Sequence, residues 1–201
     1  MNIKPIVLPL ALILILTLVL SPAPSLDASS LFDKVIRLHV VADSDLPEAQ
    51  ALKLRVRDAL LPLTSELLRD VQSKAQAEQR LRAACDRIGA LAEQTLEQAG
   101  CPQSVRITLD TEHYPARTYA TFSLPGGEYT SLRVEIGAGK GENWWCVLYP
   151  SLCLSASAAD AESAFLAAGF TPEQIRLLQG GSPRPFRIRF RLIEWLTELF
   201  S

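Results

Sequence analysis

Hydrophobic and polar positions change period several times along this chain, and each change predicts an element. From Val35 to Val41, Ile36, Leu38 and Val40 alternate with Arg37 and His39, a period-two strand with its aliphatic face toward a core. The pattern stops at Ala42-Asp43-Ser44-Asp45. Asp45 and Glu48 then have capping-box spacing, Pro47 suits a first helical turn, and Ala49, Leu52, Val56, Ala59, Leu60 and Leu63 recur at threes and fours. Pro62 is expected to end or bend this helix. A second helix is predicted from Ser73, capped with Gln76, continuously down a stripe of Leu81, Ala84, Cys85, Ile88, Ala92 and Leu96. Gly100 and Pro102 stop it.

From Ser104 the period returns to two. Val105, Ile107 and Leu109 alternate with Arg106, Thr108 and Asp110. A second strand is predicted over 118–124, a third from Tyr129 to Ile136 and a fourth from Trp144 to Tyr149, linked by Pro125-Gly126-Gly127 and by glycines between Gly137 and Gly141. Short glycine-rich links between consecutive strands predict an antiparallel meander. An alanine-rich helix near Asp160 to Ala168 and a capped one at Thr171-Pro172-Glu173-Gln174 follow. The expected class is therefore α+β: an antiparallel sheet packed with helices, one domain over 31–201. In the last segment, Arg187, Arg191, Glu194 and Glu198 share a helical face opposite Phe190, Ile193 and Leu196, so a helix is expected there.

Residues 1–28 stand apart. Lys4 precedes an apolar run from Ile6 to Leu20, whose fifteen residues span ~22 Å as a helix against a hydrocarbon core of ~30 Å. With small residues and prolines after it, the run reads as a secretory signal, and as a membrane anchor if it is retained. The 201 residues carry a net charge of −2 with both signs mixed, which gives no concentrated basic surface for nucleic acid.

Export makes the four cysteines candidates for oxidation. A continuous helix would hold Cys85 and Cys101 ~22 Å apart, too far for a bridge. Cys146 and Cys153 flank Tyr149-Pro150-Ser151, a turn able to bring them together, and are the expected disulfide, with two free thiols the alternative. Cys85 is expected to be free. The spacings match no zinc pattern, and His39 and His113 are not grouped with the cysteines.

Gly137-Ala138-Gly139-Lys140-Gly141 lacks the spacing and the Ser or Thr of a phosphate loop and opens no helix, so its glycines are expected to bend a hairpin. Trp144 and Trp145 are adjacent on a strand and must face opposite sides. One joins the core, and the other can anchor a partner. Asp43 and Asp45 could act as acid and base, but capping accounts for Asp45 and leaves only Asp43 without a structural task. No nucleophile elbow or zinc-protease helix motif is present. Arg184, Arg187, Arg189 and Arg191 suit a solvated or lipid-facing helix. No metal or other cofactor is expected.

The stretches Ile36-Arg37-Leu38-His39-Val40-Val41-Ala42-Asp43-Ser44-Asp45, Tyr114-Pro115-Ala116-Arg117-Thr118-Tyr119 and Gly139-Lys140-Gly141-Glu142-Asn143-Trp144-Trp145-Cys146, continuing to Cys153, resemble the stage II sporulation protein R family. Asp43 departs from the Asn common in that family. The resemblance implies a protein exported by the forespore into the intermembrane space. There it activates a membrane-embedded aspartic protease that processes pro-sigma-E, as a ligand rather than an enzyme. Asn143, Trp144, Trp145, Arg117, Tyr119 and Asp43 are the expected partner contacts. An envelope hydrolase using Asp43 and Asp45, and a membrane-tethered structural module, are the competing readings.

Overall fold

The structure is a computed structural model and describes residues 29–153 and 157–180. The expected signal or anchor over 1–28 and the arginine-rich C-terminal helix lie outside the described residues. A short helix α1 (Ser29–Phe32) leads into β1 (Ile36–Val41), followed by α2 (Pro47–Leu67), α3 (Lys74–Ala83) and α4 (Cys85–Gln98). Then come β2 (Val105–Tyr114), β3 (Arg117–Thr118), β4 (Ser123–Leu124), β5 (Gly127–Ile136), β6 (Asn143–Tyr149), α5 (Ala158–Ala167) and α6 (Pro172–Leu178).

The class is α+β, and the main sheet is mixed rather than antiparallel throughout. Its order is β2-β5-β1-β6, with β1 parallel to β5 and antiparallel to β6. The expected meander is corrected at two points. β1 inserts between β5 and β6, so the glycine link 137–141 crosses the end of β1 instead of closing a hairpin. The segment predicted as a strand over 118–124 folds into a separate two-residue ladder, β3 with β4, where Tyr119 N–H donates to the Phe122 carbonyl at 2.8 Å.

β1 occupies the centre and all six of its residues are buried, one face in aliphatic packing and the other through partners for Arg37 and His39. Ile36, Leu38 and Val40 join Leu132, Val134, Cys146 and Leu148 on one face, covered by Val56, Leu60, Ile88, Ala92 and Leu96 from α2 and α4. The other face carries Arg37 and His39 under a second cluster, in which Tyr114, Tyr129 and Val147 pack with Leu124, Phe165 and Ile175. A position read as polar and outward on β1 is therefore interior.

Two helix expectations also change. Pro62 lies inside α2, which continues to Leu67, and the Thr64 hydroxyl donates back to the carbonyls of Leu60 and Leu61. The helix from Ser73 breaks at Ala84 (φ −100, ψ 0), whose N–H is shared between the carbonyls of Arg80 and Leu81. The stripe continues across the break, because Leu81, Ala84, Ile88, Ala92 and Leu96 still face one core. The caps at Ser73 and Thr171 form as expected, the latter a full capping box with Gln174.

Cys146 and Cys153 form a disulfide across the turn after β6, with Cα atoms 5.4 Å apart, while Cys85 and Cys101 are free thiols. The bridged cysteines are seven positions apart. In the chain-entropy account so short a loop stabilises by about 2 kcal/mol. Replacing both cysteines by alanine should lower the urea midpoint by that equivalent, with the slope of the transition unchanged.

Candidate functional site

The residues expected to contact a partner divide between the two faces of the sheet. On β6, Trp144 points toward the helix-covered core, where the Arg57 guanidinium lies 5.0 Å from its ring centre. Asn143 and Trp145 point to the opposite face, beside His39 of β1 in the β1–β6 register. The β3–β4 hairpin brings Arg117 and Tyr119 to that same face. The exposed Arg117 guanidinium sits 4.4 Å from the Trp145 ring centre, and the Tyr119 hydroxyl accepts from Arg37 Nη2 at 2.6 Å. Asn143, Trp145, Arg117 and Tyr119 therefore form one patch, from which Trp144 is separated by the thickness of the sheet.

Asp43 and Asp45 belong to neither set, and their expected tasks are corrected. The N-cap of α2 is Leu46, with no side-chain cap, so Asp45 does not cap the helix. Instead Asp43 Oδ1 accepts from Ala138 N–H and Asp45 Oδ1 from Glu142 N–H, both at 2.7 Å. Lys140 N–H and Gly141 N–H donate to the carbonyls of Asp43 and Ala42. Lys53 Nζ completes the lacing at the Glu142 carbonyl, 2.9 Å away. Burial lowers the Lys53 pKa, against the charges of Glu142 and Asp45, which favour its cationic form. Each aspartate is thus a clasp for the glycine link.

Sequence reasoning overlooked the polar residues that tie this face together. His39 Nδ1 lies 2.8 Å from Glu112 Oε1 and its Nε2 lies 2.7 Å from Asn143 Oδ1. Arg133 Nη1 donates to the same Glu112 oxygen at 2.6 Å, and its Nη2 to Glu135 at 2.8 Å. The chain Asn143–His39–Glu112–Arg133–Glu135 thereby crosses all four strands of the sheet. Both His39 ring nitrogens are thus engaged, and neither is free to serve a nucleophile. Among the described residues no group of three or more His, Cys, Asp or Glu could hold a metal ion.

Burial alone would raise the Glu112 pKa. The hydrogen bond and charge of His39 and the Arg133 guanidinium outweigh it and bring the carboxyl from 4.5 to about 2. A folded pKa below the unfolded value contributes stability that is fully present above about pH 4.5 and lost as pH falls through about 2. The Glu112 side chain is 22% exposed. At most about 3 kcal/mol is at stake. Glu112→Gln should therefore flatten the stability–pH curve between pH 4.5 and 2, as followed by urea unfolding at a series of pH values, with wild type falling toward the variant in acid.

Beneath Tyr119 lies Arg37, fully buried, with its guanidinium 3.9 Å from the Tyr114 ring centre and 5.1 Å from that of Tyr129. The Tyr114 hydroxyl is 2.6 Å from Ser131 Oγ, and the Tyr129 hydroxyl donates to the Pro125 carbonyl at 2.7 Å. Burial pushes the Tyr129 phenol up to about 12 and raises Tyr114 and Tyr119 as well, so all three stay protonated near neutral pH. A cation in the middle of an aliphatic strand was the available signal for this cage.

Comparisons with known proteins cover the stretch of chain that carries the patch. The family model described as Stage II sporulation protein R matches residues 32–159, which include every expected partner contact. The protein named Stage II sporulation protein R from Bacillus subtilis (strain 168) is 30% identical over 185 residues, covering 84% of this chain and 83% of the relative. No solved structure matches. On the family match and this identity together, the chain belongs to the stage II sporulation protein R family.

Proposed function

We propose that this chain is an exported forespore-to-mother-cell signal that activates a membrane-embedded aspartic protease, which then processes pro-sigma-E. Membership of the family makes it a sporulation protein; the signalling role is our reading. The observation that carries it is the convergence of Asn143, Trp145, Arg117 and Tyr119 from β6 and the β3–β4 hairpin onto one patch. A half-buried tryptophan under an exposed guanidinium has the composition of a protein-binding hot spot. His39, Asp43 and Asp45, the side chains best suited to catalysis, are all engaged in holding strands and loops. The disulfide suits a compartment outside the cytosol.

A ligand activates by binding the active state of its receptor more tightly than the inactive one. Trp145 and Arg117 supply the contacts, the disulfide orders the turn that follows β6, and the N-terminal segment delivers the chain across the forespore membrane. Co-expression of the protease and its pro-sigma substrate, with and without this chain, tests the proposal. Processing that depends on the chain is expected. Processing that proceeds equally without it, or unaided turnover by the purified chain, would remove the reading.

A further inference from the structure

Arg37 is a buried cation with no counter-ion among the described residues. Its Nη2 has one partner, the Tyr119 hydroxyl, while Nε and Nη1 have no hydrogen-bond partner among the described residues. The Trp145 Nε1–H is buried and unpartnered too. These three atoms are donors, and they border one ring: Tyr114 lies 3.9 Å from the Arg37 guanidinium and 6.0 Å from the Trp145 ring centre. Tyrosine faces compensate a guanidinium only in part. A buried charge without a partner, and buried donors without acceptors, are among the costliest features a fold can hold. Among the described residues, no acceptor carrying negative charge reaches these donors.

Its cover is slight. Tyr119 leads out of a ladder of two residues on each side, stacks on Phe122 at 4.8 Å between ring centres and is itself half-buried. The same ladder carries Arg117 onto Trp145, so anything that grips the proposed binding patch pulls on the cover. Short elements with few buried contacts open at the lowest free energy. Removing the Tyr119 hydroxyl from Nη2 leaves Nε and Nη2 bare together, the edge on which arginine receives a carboxylate bidentately.

We propose that Arg37 is a latent carboxylate-binding site, closed by Tyr119 of the β3–β4 hairpin and filled by an acidic side chain of the protein partner when the hairpin is displaced. The phenol is a neutral stand-in for that carboxylate, and the exchange replaces one neutral hydrogen bond by a charge-assisted pair. The site makes the signal conditional, because Arg37 engages only a partner that has already gripped Trp145 and Arg117. This inference rests on the proposed activating role for the identity of the partner, but not for the chemistry of the site.

The test has two arms. In the first, sodium acetate is titrated into the purified full chain, against sodium chloride at equal ionic strength, and the thermal midpoint is read. Tyr119→Phe keeps the ring stacking and removes the closing hydroxyl. It should show a saturable acetate response with a half-saturating concentration about fivefold below wild type, the equivalent of one ordinary hydrogen bond taken from the closed state. Adding Arg37→Lys, which keeps the charge and loses the fork, should abolish the response. Acetate that acts as chloride does on both wild type and Tyr119→Phe overturns the site, whatever becomes of the double variant. In the second arm, Tyr119→Phe should reach half-maximal pro-sigma processing at a severalfold lower concentration than wild type. An unchanged or higher concentration, with the acetate response intact, overturns the partner's part. Failure of wild type itself to support processing would be a failure of the signalling role and leaves the first arm's result standing.

Discussion

Trp145→Ala is expected to lower pro-sigma processing by more than tenfold while the chain stays folded and oxidised. Trp145 is half-buried, so the ring has room to reach a partner, and it is overlaid by Arg117 and flanked by Asn143. Truncating an aromatic of this kind at the centre of an interface costs about 2 kcal/mol or more, roughly thirty-fold in affinity. Trp144→Ala is the matched control. Trp144 packs on the helix-covered core under Arg57. Its loss should lower stability by about 2 kcal/mol, short of the ~3–5 kcal/mol for a fully buried aromatic, and leave signalling per folded molecule intact. Processing measured against the concentration of each purified variant, beside its thermal midpoint, separates the two effects. Equal signalling by Trp145→Ala and wild type would place the docking surface elsewhere.

Gly141→Ala should be severely destabilising. A Cβ there would overlap the Ser44 carbonyl group, which is backbone and cannot swing aside, and would lie 2.9 Å from the Ala42 Cβ. The link is held against residues 42–45 by Gly141 N–H, Lys140 N–H and both aspartate clasps, so relief means breaking that lacing. Overpacking of this severity costs about 3 kcal/mol, and a domain this size loses ~2–4 °C per kcal/mol, so a fall of about 10 °C in the thermal midpoint is expected. Gly139→Ala is the milder comparison. Its φ of +60 makes any side chain costly, by about 1 kcal/mol, but the nearest atoms belong to the Glu135 side chain, which can move. A midpoint for Gly141→Ala no lower than that for Gly139→Ala would contradict the close approach.

The lacing shows why part of the site was legible and part was not. Asp43 and Asp45 read as a spare carboxylate and a cap because sequence offers only neighbours as partners, whereas their true partners, Ala138 and Glu142, lie 95 and 97 positions away. The same holds for His39, which meets Glu112 across 73 positions and Asn143 across 104. Motif composition proposed Asn143, Trp144, Trp145, Arg117, Tyr119 and Asp43, of which the fold brings Asn143, Trp145, Arg117 and Tyr119 to one face. Period two alone could not say which tryptophan shared their face, since alternation divides neighbours without saying which side is covered.

By itself the sequence determined what short-range physics determines: the strand periods, the helical stripes, the Ser73 and Thr171 caps, and a turn that brings Cys146 to Cys153. Tertiary structure alone decided that β1 enters between β5 and β6, that Pro62 sits within α2, and that Arg37 and His39 are interior. A strand shows its own alternation but not its neighbours, because pairing is chosen by the burial of both faces of the whole sheet. Once β1 is central, a guanidinium that would otherwise be solvated must be caged by Tyr114, Tyr119 and Tyr129, residues 77 to 92 positions further along the chain.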